Sequence, residues 1–291
     1  MNILTFDIEE WYIEKMYHGG RKERYLEFDR LLDNILDILD ENNTKATFFC
    51  LGEMAKDFPY VIKQIYDRGH EIGSHSNKHF WLTKLNRDEV CEDTKSSIDS
   101  LEQLIGEKVL SYRAPAFSIG ENNKWAFEVL AECGIERDAS IFPAQRDFGG
   151  FSSFGRSEPA IISYKGIELK EFPISTTKLF GKEIVYSGGG YFRLFPLTYI
   201  KNKIRKSNYT MTYFHIGDLL SDQHKFKSKK EYEIYFKEPG TLINRSKRYI
   251  KSNLGMKGAY NKLEKLIQTT EFINLEEADK TIDWKKNIIK L

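Results

Sequence analysis

Short apolar runs rich in β-branched and aromatic residues alternate with helical periodicity through the first half of the chain. NILTFDI (2–8), ATFFCLG (46–52), HEIGSHS (70–76), VLSYRAPAFS (109–118) and IERDASIF (135–142) read as strands. Between the first two, EFDRLLDNILDILDENN sets Phe28, Leu31, Leu32, Ile35, Leu36 and Leu39 on one stripe, the signature of a helix with one buried face. FPYVIKQIYDRG, NRDEVCEDTKSSIDSLEQLIG and WAFEVLAECG are further helices, closed by Gly69, Gly106 and Gly134. This alternation predicts parallel strands joined by right-handed crossovers, which suits either a barrel or a doubly wound sheet. The second half is less regular. IELKEFPIST, EIVYSGGGYFRLFP, the helix-like LTYIKNKIRKS and YTMTYFHIGD continue the theme, and NRSKRYIKS and KLEKLIQ read as helices near the end.

At 291 residues the chain can bury a large core. The simplest organisation is one domain over 1–291, with 225–291 as a C-terminal helical extension. Lysine and arginine number 44 against 43 acidic residues, a net charge of +1, so no overall field draws the chain to nucleic acid. The late basic clusters KFKSKKEYE and NRSKRYIKSN read first as solvated faces, and leave room for peripheral contact with a membrane surface. Cys50, Cys91 and Cys133 are too few and too scattered for a disulfide framework. MNILTFDIEEW lacks the plan of a signal peptide, and there is no apolar run long enough to span a bilayer. A cytoplasmic setting is the expectation.

Parallel α/β folds carry their chemistry at the C-terminal ends of the strands. There the sequence delivers Asp7, Glu9 and Glu10, then His75 and His79, then Arg113 before Pro115, then Asp138, and finally His215 with Asp218. Each has a plain alternative: a carboxylate past a strand can be a helix cap, and a histidine pair can be a surface turn. Acidic residues crowded as DIEE nonetheless need a cation or hydrogen-bond donors nearby. Histidines four apart would share one face of a helical turn, as two metal ligands require. An arginine at a strand end suits a forked contact with a carboxylate. His18, His70 and His224 have no such company. Gly188, Gly189 and Gly190, next to Tyr191, Phe192 and Arg193, form a loop or let a ligand approach the backbone. They lack the spacing of a nucleotide site, and no GxSxG nucleophile motif is present.

TFDIEEW (5–11), HSNKH (75–79), RAPAFS (113–118), RDASIFP (137–143) and YFHIGD (213–218) together resemble, in order, the motifs of the polysaccharide deacetylase family. These are the NodB-homology, or carbohydrate esterase family 4, proteins. The likeness is greatest to the branch associated with bacterial exopolysaccharide loci, and it covers roughly residues 1–220. It implies a distorted, TIM-like (β/α) barrel of about seven parallel strands. It also implies a divalent metal, most often zinc, and hydrolysis of N-acetyl groups on an amino-sugar glycan or its precursor. By position, His75 and His79 become metal ligands, Asp7 the catalytic base, Arg113 its orienting partner and His215 the catalytic acid. The backbone N–H of Ala116 would bind the oxyanion, and Asp138 would tune the acid. The family's second aspartate, the usual metal ligand, is replaced by Ile8. The carboxylate ligand then falls to Glu9, which shares a strand face with Asp7, or to Glu10. Two rival readings are a cyclic-amide hydrolase of the allantoinase type and a carbohydrate-binding protein without chemistry. Asp7 and His215, both present, speak against the second.

Overall fold

The computed structural model describes residues 1–144, 149–179, 181–220, 225–236 and 238–291. Within it, alternate side chains of each short strand serve different layers. Phe6, Phe48 and Phe214 pack with Leu32, Leu36 and Val61 of the surrounding helices, whereas Phe49 joins Phe117, Met211 and Tyr213 in an inner cluster. Phe6 and Phe48 stack with their centroids 4.9 Å apart. Asp7 is in register with Phe49, on the inner side, and that alternation turns the first strand's carboxylate toward the interior.

Among the described residues the main sheet has nine strands. They are β1 (Thr5–Ile8), β2 (Thr47–Cys50), β3 (Glu71–Ser74), β4 (Ser111–Tyr112), β5 (Arg137–Asp138), β6 (Ala160–Tyr164), β7 (Ile167–Glu171), β8 (Phe214–His215) and β9 (Ile288–Lys290). Seven lie parallel in the order β8-β1-β2-β3-β4-β5-β7. β6 folds back antiparallel on β7, and β9 adds parallel to β6. Among the described residues no ladder joins β7 to β8. Side chains seal that seam instead: Tyr209 Oη donates to Pro173 O at 2.8 Å, and Met211 N–H to Ser175 Oγ at 2.8 Å. A single parallel bridge between Gly188 and Tyr213 continues the closure. The result is a seven-stranded α/β barrel with one interrupted seam.

Several elements differ from the sequence pattern. The run 109–118 yields a strand only at Ser111–Tyr112, because Pro115 and the left-handed Ala116 and Phe117 turn the chain away. A helix, α1 (Glu10–Tyr17), starts directly after β1 and buries Trp11 and Tyr12. The glycines at 188–190 serve chain against chain: a Cβ on Gly188 would collide with the Tyr213 carbonyl, and Gly189 opens the helix Gly189–Leu194. Residues beyond 225 do more than extend the fold. Leu263, Leu266 and Ile267 are buried in the main core, and Ile273 bridges to Ile3. The helix Leu275–Thr281 is pinned under the barrel, where Leu275 N–H donates to Thr47 Oγ1 and Glu276 N–H to Glu71 Oε2. No helix among the described residues is long and apolar enough to cross a membrane. His224 lies outside the described residues.

Candidate active site

The C-terminal end of the barrel opens on a cleft of about 210 Å³, whose walls include Asp7, Glu9, His79, Ala116, Tyr213 and His215. Glu9 is the first residue past β1 and the N-cap of α1, so the turn from strand into helix, rather than the strand's alternation, aims its carboxylate. Its Oε2 lies 2.7 Å from His79 Nε2 and 3.3 Å from His75 Nε2. One ligand-type atom from each of these three residues falls within 4.8 Å of the others. Glu10 turns away: Gly217 N–H donates to its Oε1 at 2.6 Å. Burial, and then the charge of Glu9, push the Glu10 carboxyl up to about 7.

The two histidines do not lie on a helical turn. His75 follows β3 directly, and the chain then loops through left-handed Ser76 and His79, with φ of 71° and 59°. Asp93, from the helix Arg87–Ile105, accepts the N–H groups of Asn77 and Lys78, and Ser76 Oγ accepts that of His79. The loop is therefore built to hold two rings against one carboxylate. His75 Nδ1 sits 2.8 Å from the Arg113 carbonyl, which fixes the ring proton there and leaves Nε2 with a lone pair. In the neutral form that a metal ligand must take, the two rings would turn their Nε2 lone pairs on Glu9 Oε2, a buried oxygen. Mutually repelling donor atoms of this kind, two nitrogens and one oxygen, suit a divalent cation. Burial alone would raise the Glu9 carboxyl, but the charges of His79 and His215 hold it well below the usual range.

Asp7 and Arg113 form a fully buried pair. Arg113 Nη1 donates to Asp7 Oδ1 at 2.8 Å and to Thr5 Oγ1 at 2.7 Å, and its Nε donates to Ala139 O. The contact with the carboxylate is single rather than forked. The guanidinium lies 4.2 Å over the Phe49 ring, which has room because Gly73 opposite has no Cβ. His215, the register partner of Asp7 on β8, brings its Nε2 to 3.7 Å from Asp7 Oδ2 and 3.8 Å from Glu9 Oε1.

Asp138 is not brought to His215. The carboxylate at His215 Nδ1 is Asp218 Oδ2, 3.0 Å away. Burial disfavours the charged ring, yet Glu9, Asp218 and Asp7 together hold His215 well above the usual imidazole range. Asp218 is met in turn by Arg193, 3.5 Å away, whose guanidinium also donates to the carbonyls of Ser252 and Lys251. The i,i+3 spacing in HIGD was the visible sign of Asp218; nothing local marks Arg193 beyond its place after the glycines. Asp138 instead stands beside its register partner Glu171, deep in the barrel wall. Burial pushes Asp138 up to about 6 and, with the charge of Asp138, holds Glu171 well above the carboxylate range, so the two share a proton. Ser140 Oγ donates to Asp138 Oδ1 at 2.5 Å and accepts the Ala114 N–H at 2.8 Å. Asp138 thereby anchors the turn that carries Ala116 into the cleft. Ala116 and Phe117 are both left-handed, with φ of 55° and 53°, a strained pair at the rim.

Residues 4–137, a little under half of the chain, match the family model described as polysaccharide deacetylase. Residues 139–280 match a second model, described only as a domain of unknown function. A peptidoglycan-N-acetylglucosamine deacetylase of Bacillus cereus is 43% identical over 95 residues, 32% of this chain and 34% of that protein. A peptidoglycan-N-acetylmuramic acid deacetylase of Bacillus subtilis is 33% identical over 109 residues, 35% of this chain and 41% of that protein. The chain thus spans well under half the length of these relatives. A crystal structure of a provisionally assigned polysaccharide deacetylase from Mycobacterium smegmatis superposes with a TM-score of 0.62 at 17% identity, covering 98% of this chain and 90% of that one, which is a likeness of fold.

Proposed function

We propose that the protein is a metal-dependent hydrolase that removes N-acetyl groups from an amino-sugar glycan or glycan precursor. The observation that carries this reading is the Glu9–His75–His79 cluster with Asp7 and His215 side by side at its edge. Glu9, His75 and His79 would hold the ion, most plainly zinc given two imidazoles and a carboxylate, and it would supply Lewis acidity to the amide. Asp7, held by Arg113, takes the proton of the attacking water. A new C–O bond forms at the acetyl carbon and the C–N bond breaks. His215, kept protonated by Asp218 and Glu9, gives its proton to the departing amine nitrogen. The Ala116 N–H is assigned to the oxyanion, at the wall of the same cleft. Trp81, Phe117, Tyr213 and Phe236 line that cleft with rings suited to the apolar faces of a sugar.

The test pairs acetate release with metal analysis. Purified protein should release acetate from an N-acetylated amino-sugar oligomer or precursor and carry about one divalent ion per chain. His75→Ala, His79→Ala and Glu9→Ala should each lose the ion and the activity together, with the fold kept. Glu10→Gln should keep the ion. Full metal content in the first three variants would put the ion elsewhere.

A further inference from the structure

The helix Leu242–Asn253 is turned inside out. A surface helix ordinarily lays its apolar stripe on the core and shows charge to water, but none of this helix's residues is buried. Its arginines face the protein. The Arg245 guanidinium lies 5.1 Å over the Phe226 ring and donates to Lys227 O, while Arg248 lies 4.4 Å over Phe236 and 3.8 Å from Glu238. The opposite side carries Leu242, Ile243, Ile250 and Leu254, which are 65%, 66%, 58% and 51% exposed. At 100° per residue these four fall on one face of the helix and the turn that ends it, with Lys247 among them.

Charge says what covers this strip. Residues 242–257, LINRSKRYIKSNLGMK, hold no acidic side chain, and beside the two inward arginines they carry three exposed lysines, Lys247, Lys251 and Lys257, in a chain whose net charge is only +1. The partner must therefore be both apolar and anionic. A second copy of the same strip meets the first requirement and fails the second, because lysine would face lysine. Bulky apolar residues between lysines whose stems can lie along an apolar surface are the arrangement of a helix resting in a lipid headgroup layer.

We infer that the helix Leu242–Asn253 is a docking surface for an anionic membrane face. Arg248 rests on Phe236, and Phe236 lines the cleft, so docking sets the cleft mouth close to the lipid surface. This inference is independent of the reaction assigned to the cleft.

The full chain is sedimented with vesicles of phosphatidylcholine alone and with vesicles of phosphatidylcholine mixed with phosphatidylglycerol. Binding to the mixed vesicles should exceed that to the neutral ones by about tenfold or more, and should fall as salt is raised. Ile243→Asp with Ile250→Asp should abolish it, and Lys247→Glu should weaken it severalfold. All three positions are exposed, and the far-UV circular dichroism and melting temperature of the variants should match the parent. Absence of binding to the mixed vesicles, or equal binding by the Ile243→Asp, Ile250→Asp variant, overturns the inference. So does a stable dimer in analytical ultracentrifugation that Ile243→Asp dissociates, which would make the strip a contact between copies.

Discussion

His215 owes its charge to neighbours that its own strand does not supply. Asp218 stands one helical turn on, at 3.0 Å, and Arg193 steadies Asp218 from a different helix. Asp218→Asn keeps the shape and removes the charge that favours the protonated ring. We expect kcat on an N-acetyl sugar to drop by about tenfold to a hundredfold, with KM and metal content near those of the parent. An activated aryl acetate, whose leaving group needs no proton, should recover most of that loss. A variant that loses its metal, or is equally slow on both substrates, would assign Asp218 to the fold instead. At this scale much of the site was legible: DIEE, HSNKH, the arginine before Ala-Pro, and HIGD name residues that meet in one cleft. What stayed hidden depends on direction. Spacing of four suggested a helical turn for His75 and His79, whereas left-handed backbone at Ser76 and His79 achieves the same convergence by a loop. Asp138 sits in a matching motif, yet its side chain enters the barrel wall, where Glu171 and Ser140 already occupy it.

Among the elements, the adjacent strands β5 and β7 carry a buried acid pair across their ladder. The native protein keeps a proton on Asp138 and Glu171 at a pH where the unfolded chain has released it, since both are raised by burial. A carboxyl whose folded value is raised gives its stabilisation below the unfolded value and loses it as pH climbs through the folded one. From about pH 4, stability should therefore fall by roughly 1.4 kcal/mol per pH unit for each extra proton retained, through the Asp138 value of about 6 and beyond. Glu171→Gln supplies the bridging hydrogen without a titration. Denaturant unfolding at about pH 5 and about pH 8 should show a smaller drop for the variant than for the parent. Equal slopes would mean that the pair does not share a proton. The elements themselves were read well where apolar periodicity was strong, as in Lys22–Glu41 and Arg87–Ile105. β6 and β9 escaped because an outer hairpin strand and an edge strand lack the fully apolar run of the central ones.

For the molecule as a whole, the two family matches, 4–137 and 139–280, divide one continuous sheet. The cut falls beside β5, whose next partner is β7, and it also strips β8 from β1. A fragment of residues 1–138 would thus expose two parallel strand edges as well as the inner faces of Phe49 and Arg113. Expressed alone it should be insoluble, or lack cooperative unfolding, and co-expression with 139–291 should restore solubility. A soluble, cooperatively melting fragment would show that the first match folds by itself. Strand–helix alternation foretold the parallel order. The seam could not be foreseen, because it rests on Tyr209 and Ser175 side chains rather than on any periodic pattern.

The register pairing of Asp7 with His215 also sets a timetable. Glu9, His75 and His79, and the Asp93 and Arg113 groups that hold the two rings, are all made by residue 113, whereas His215 follows 102 residues after Arg113. At about 5–20 residues per second, that interval is on the order of ten seconds. A nascent chain can assemble its ligand trio early and must then wait, with one edge of β1 bare, for the strand that brings the proton donor.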